Sequence, residues 1–94
     1  MFSIYILKSV KLNRYYIGST NNVNRRILEH NNVKFEDAFT KNGVPWVLVL
    51  SIDNLNSKQA YQIEKHFKKM KSALYIENAI RFPNIIQALV LKYR

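Results

Sequence analysis

Two short runs of β-branched and aromatic residues, 3–9 (SIYILKS) and 14–19 (RYYIGS), lie close together at the start of the chain, separated only by the turn residues 10–13, which include Lys11 and Asn13. Runs of this kind bounded by a turn form a β-hairpin, and everything that follows must pack against it. Side chains alternate across a strand. Ile4 and Ile6 therefore share one face of the first strand, with Tyr5 on the other; in the second strand Tyr15 and Ile17 share a face, with Tyr16 opposite. Pairing the two apolar faces sets Tyr5 and Tyr16 together on the reverse side.

Asn21 or Asn22 can cap a helix running to about Asn31, its side-chain oxygen accepting a free amide proton of the first turn. Val23 and Ile27 form the apolar contact of that helix, and Asn22, Arg26 and His30 lie one turn apart on a bordering stripe. Residues 32–43 have no clean period and read as a loop. Residues 45–52 (PWVLVLSI) are almost continuously apolar and read as a buried central strand. A second helix starts near Ser57, the expected cap, with Ala60, Ile63, Phe67 and Met70 as its buried stripe and Lys58, Lys65, Lys68 and Lys69 off it. Residues 73–80 form a short helix, and Pro83 opens a last one through Lys92. The expected fold is α+β: a small three-stranded, largely antiparallel sheet flanked by helices, in the order β-β-α-β-α-α, with a core of about 2–80 and a C-terminal helix of about 83–92. Two glycines, two prolines and no repeat or linker make 1–94 a single expected domain.

Composition narrows the chemistry. With 48% apolar residues in 94, the chain can build a core. Cysteine is absent, which excludes disulfides, thiolate metal sites and a cysteine nucleophile; His30 and His66 are too few for a histidine-rich metal cage. No apolar run approaches the ~20 residues of a membrane span, and residues 1–7 do not read as a signal peptide, so a soluble, cytoplasmic protein is expected. Fifteen Lys plus Arg against six Asp plus Glu give +9. Such a surplus suits a polyanion, nucleic acid first, or a basic surface kept for solubility.

Glu64 lies at the edge of an apolar helical stripe. A carboxylate beside a core must be paired, hydrogen-bonded or metal-bound; the local reading is an i, i+4 pair with Lys68. Taken singly, Tyr5 and Tyr16 are strand aromatics, and Arg26 and His30 are a solvated helix face.

In combination, Ser3-Ile4-Tyr5, Tyr16-Ile17-Gly18, Asn21-Asn22-Val23-Asn24-Arg25-Arg26, Glu29-His30-Asn31, Pro45-Trp46-Val47-Leu48-Val49 and Glu64 follow one another in order and spacing. In this the chain resembles the GIY-YIG nuclease superfamily over roughly 2–80, and Lys68-Lys69-Met70-Lys71-Ser72 with Tyr75-Ile76-Glu77 is similar to its small single-domain bacterial members. Ser3 stands where the name motif has glycine. The resemblance implies a metal-dependent endonuclease hydrolysing phosphodiester bonds in DNA. It implies Tyr5 as base or water-positioner, Tyr16 as its partner or the alternative base, Arg26 on the scissile phosphate, His30 as orienter or proton relay, and Glu64 as ligand to one Mg²⁺ or Mn²⁺. Gly18, Asn22, Arg25, Lys68, Lys69 and Lys71 are the expected substrate contacts. Asn78, ahead of Asn84, is the candidate for a late asparagine found in many members. Arg26 suits a phosphate because its planar fork meets two oxygens, and Mg²⁺ accepts one carboxylate when water and phosphate oxygens complete its shell.

The alternatives are a non-catalytic nucleic-acid-binding domain with the same fold, and an interaction module using the 85–91 helix. A carboxylate facing phosphate favours the nuclease, because a binder has no evident use for one. Target choice is expected from branched or flapped DNA, a partner protein or a homodimer.

Overall fold

The computed structural model describes residues 1–31 and 42–94; the loop expected at 32–43 falls almost wholly outside them. Three strands, β1 (Phe2–Ser9), β2 (Arg14–Thr20) and β3 (Trp46–Leu55), form one antiparallel sheet in the order β2-β1-β3. The helices lying wholly within the described residues are α1 (Val23–Asn31), α2 (Ser57–Met70), α3 (Ala73–Arg81) and α4 (Pro83–Lys92). This is the α+β arrangement read from the sequence. The hairpin turn closes with Asn13 N–H donating to the Val10 carbonyl at 3.3 Å, Asn13 adopting a left-handed φ of 51°.

The central strand is β1, not the 45–52 run. Ile4, Tyr5, Ile6 and Leu7 are all essentially inaccessible, whereas Val47 and Leu48 on β3 are 54% and 38% exposed. The reason is positional. β1 is covered on both faces and paired on both edges, while β3 takes an outer edge and carries two register irregularities opposite Phe2/Ile4 and Ile6/Leu7. Each places an extra β3 residue against β1, a bulge that breaks strict alternation. A continuous apolar run is therefore shared between core and surface.

The two faces of the sheet carry separate cores. Ile4, Ile6, Ile52 and Leu55 pack with Ala60, Ile63 and Phe67 of α2, Ile76 and Ala79 of α3, and Leu89 of α4. Tyr5, Leu7 and Trp46 pack on the other side with Tyr16 and with Val23 and Ile27 of α1. Each fully buried Ile, Leu or Phe adds about 1.5–3 kcal/mol of hydrophobic stabilisation, so the sheet is clamped between helices on both faces.

Helix α2 starts one residue earlier than Ser57 would dictate. Asn56 is its cap: the Asn56 side chain accepts from Gln59 N–H at 2.7 Å while the Gln59 side chain accepts from Asn56 N–H at 3.4 Å. This reciprocal box needs an extended cap residue, and Asn56 has φ −79° and ψ 167°. At the other end Lys71 turns left-handed (φ 48°) and stops the helix. Met70, expected in the buried stripe, is 45% exposed because the chain leaves the core there. Ser72 caps α3 by accepting from Tyr75 N–H at 3.1 Å, and Pro83 stands in the first turn of α4. No described helix is long and apolar enough to cross a membrane.

Candidate active site

The register that pairs Tyr5 with Gly18 and Leu7 with Tyr16 places both tyrosines on the α1 face of the sheet. Their rings lie 6.4 Å apart at 23°. Gly18 is buried against the Tyr5 ring; a Cβ built there would lie 2.6 Å from Tyr5 Cζ, an impossible contact. Its backbone is not left-handed, since no glycine has positive φ among the described residues. Space, not conformation, demands glycine here, and its role is to seat Tyr5.

Helix α1 brings the polar groups. The Asn22 side-chain oxygen accepts from Arg25 N–H at 3.0 Å, and Thr20 Oγ1 accepts from Asn22 N–H at 3.1 Å, so the helix springs directly from the end of β2. His30, two turns later and only 3% exposed, comes within 3.0 Å of Tyr5 Oη through Nε2. Its ring also meets that of Tyr16 at 4.5 Å. Arg26, one turn before, places Nη2 3.4 Å from the same nitrogen. A guanidinium only donates. Facing Arg26, Nε2 is the acceptor; the network thus assigns the imidazole proton to Nδ1 and makes the Tyr5 hydroxyl the donor.

Burial pushes the Tyr5 phenol above its ordinary range, and the Tyr16 and Glu64 charges add to this; a hydrogen bond from Arg26 and its charge oppose it without reversing the direction. Tyr5 is therefore a neutral phenol at neutral pH. Arg26 is itself held by Glu29, Nη1 to Oε1 at 2.7 Å, which raises the guanidinium further and holds the Glu29 carboxyl below its usual range. Asn31 completes the arrangement. Its side-chain amide donates to the Trp46 carbonyl at 3.1 Å and accepts from Trp46 N–H at 2.6 Å, clasping the end of α1 to the first residue of β3.

Glu64 arrives on α2. Its side chain is 23% exposed and Oε2 accepts from Lys68 Nζ at 2.6 Å, the i, i+4 pair of the local reading. It opens into a concavity of about 250 Å³ with Tyr61, Lys65 and Lys68. Its charge is felt at Tyr5, which links it electrostatically to the α1-face cluster. Among the described residues no three His, Asp or Glu side chains converge as a metal cage. The donor set is one carboxylate, which fits a hard cation that keeps its waters and takes phosphate oxygens as further ligands.

Tyr5, Tyr16, Arg26 and His30 thus form one cluster; the remaining expected contacts are dispersed. Asn22 spends its side-chain oxygen on the helix cap, and exposed Arg25 reaches back to Asn21 Oδ1 at 3.4 Å. Lys71 lines a groove with Arg14, Tyr15 and Lys68, while Lys69 lines a different cavity between α2 and α4. Asn78 is half-buried on α3, its carbonyl accepting from Phe82 N–H at 2.8 Å. Glu29 and Asn31 take roles that the motif pattern does not assign. The i, i+3 spacing of Arg26 and Glu29 was a usable signal for the first; nothing local points Asn31 at Trp46.

The GIY-YIG catalytic domain family matches residues 1–78. Over 92 residues the chain is 30% identical to a protein of Acanthamoeba polyphaga mimivirus designated "Uncharacterized protein L300", covering 95% of this chain and 55% of that protein. The chain therefore spans about half the length of this relative. No solved structure matches.

Proposed function

The chain belongs to the GIY-YIG catalytic-domain family, and on that premise we propose that it is an endonuclease cutting phosphodiester bonds in DNA with one divalent cation, Mg²⁺ or Mn²⁺. The observation that carries this reading is the Tyr5 hydroxyl 3.0 Å from a buried His30 Nε2, with the Arg26 guanidinium alongside.

A buried neutral phenol is a poor base by itself. Joined to an imidazole acceptor, it becomes a relay: the Tyr5 oxygen takes a proton from the attacking water while its own proton passes to His30 Nε2. The phenol is restored, the imidazole becomes imidazolium, and the water oxygen bonds to phosphorus as the bond to the leaving oxygen breaks. Arg26 stands beside both products of this transfer and has donors beyond the one on Glu29 for the phosphate oxygens. Tyr16 packs on the His30 ring and fixes its plane. Glu64 would hold the cation, exchanging its Lys68 contact for it. Bound there, the cation supplies Lewis-acid stabilisation of charge on the phosphate and leaving oxygens. The charge of +9 supplies the general attraction to the DNA backbone.

Incubation with single-stranded, duplex, nicked, flap and four-way DNA under Mg²⁺ or Mn²⁺ tests the proposal and reads out substrate shape. Cleavage of at least one substrate is expected, abolished in Glu64→Ala with DNA binding kept or tightened by loss of a negative charge. Cleavage that persists in that variant rejects Glu64 as the metal ligand. The Glu64–Lys68 pairing favours a second reading, a binder without turnover; binding with no cleavage of any substrate would select it.

A further inference from the structure

Helix α4 lies beyond the span matched by the family and closes a second basic cavity. Gln62, Lys65, His66 and Lys69 recur at helical spacing along one face of α2. Against them α4 brings Lys92, and the chain continues into Tyr93. The junction is tied by specific bonds: Gln59 Nε2 donates to the Val90 carbonyl at 3.1 Å, and His66 is bracketed by two hydroxyls, Tyr93 Oη 3.2 Å from Nδ1 and Tyr75 Oη 2.9 Å from Nε2. The resulting cavity, about 510 Å³, is lined by Gln62, Lys65, His66, Lys69, Met70, Lys92 and Tyr93.

Among the described residues its lining holds three ammonium groups and no carboxylate. On the Glu64 side of the same helix, by contrast, a lysine is neutralised by its own carboxylate at 2.6 Å. Three cations gathered in one concavity create a positive potential that an anion relieves. Ammonium, amide and phenol groups together offer several donors, the set a tetrahedral oxyanion requires.

We propose that the cavity between α2 and α4 binds a phosphate group, presented either as free phosphate or as part of a nucleic acid. The site is separate from the Tyr5–His30 cluster, and its readout is binding, so it stands or falls independently of cleavage.

The test is amide NMR of the full chain titrated with inorganic phosphate at constant ionic strength, with chloride as the control. Saturable shifts centred on Lys65, His66, Lys69, Lys92 and Tyr93 are expected. The double variant Lys69→Gln/Lys92→Gln, verified as folded by its own spectrum, should bind at least about tenfold more weakly, the effect of losing two charge-assisted hydrogen bonds, while Lys11→Gln, at an exposed position in the β1–β2 turn outside the cavity, binds normally. A second arm, in the Glu64→Ala background, compares a short oligonucleotide with and without a 5′-phosphate. Equal shifts identify a backbone phosphate as the ligand, and shifts only with the phosphorylated strand identify a terminal one. Shifts no greater than with chloride, or undiminished binding in the double variant, overturn the proposal.

Discussion

Tyr5 shows how strongly position changes a side chain. In solution a phenol ionises near pH 10, but burial holds this one higher, against the pull of Arg26. Burial raises the Tyr75 phenol as well, so alkaline ultraviolet titration should show a late-ionising component to which both tyrosines contribute, and Tyr5→Phe should diminish it. A raised folded-state value means stability from this group is complete below about pH 10 and lost as pH rises through the folded value; the wild type should therefore lose stability at high pH more steeply than Tyr5→Phe. Gly18 is the steric counterpart. Gly18→Ala forces the Tyr5 ring off its seat and should cost about 1–3 kcal/mol in urea unfolding, together with the Tyr5–His30 contact. An unchanged unfolding midpoint would show that the ring has room to move.

At the scale of elements, the site depends on how α1 is held. Its start is fixed by Thr20 and Asn22 and its end by the Asn31 amide on the Trp46 backbone. Arg26 and His30 lie between these two anchors. Asn31→Ala removes two hydrogen-bond partners from partly buried backbone and should cost about 1–3 kcal/mol in chemical denaturation; cleavage should fall as well, because the neighbouring His30 loses its fixed approach to Tyr5. Equal stability of variant and wild type would show that the clasp only follows from a fold held elsewhere. The element boundaries teach a related lesson. Ser57 and Asn56 are both good cap residues, and only the extended backbone at Asn56 with Gln59 three residues on decides between them.

For the molecule as a whole, the proposed function makes net charge the source of affinity for DNA. If about five phosphates are neutralised, log K for DNA should fall with log salt at a slope near −4.5. A flat response in a filter-binding or anisotropy titration would reject the nucleic-acid reading. The sheet separates α1 from the helical layer of α2, α3 and α4, with the tyrosine cluster on one side and the helical core on the other. Lysines on α2 consequently serve different neighbours: Lys68 meets Glu64, and Lys69 the cavity shared with α4.

Local chemistry alone determined much of this protein. The hairpin, the side-by-side placement of Tyr5 and Tyr16, the Arg26–His30 stripe and the α+β class follow from alternation, helical periodicity and turn residues, all of which act within a few positions. Tertiary structure decided what depends on pairing between distant segments. It made β1 the central strand, because two partners compete for its two edges and the bulges of β3 break the alternation its sequence suggests. It turned Gly18 into the seat of a ring from another strand and Asn31 into a clasp on a residue fifteen positions away. It also raised the Tyr5 phenol above its ordinary range, since desolvation is a property of the surrounding fold and not of the tyrosine or its neighbours in the chain.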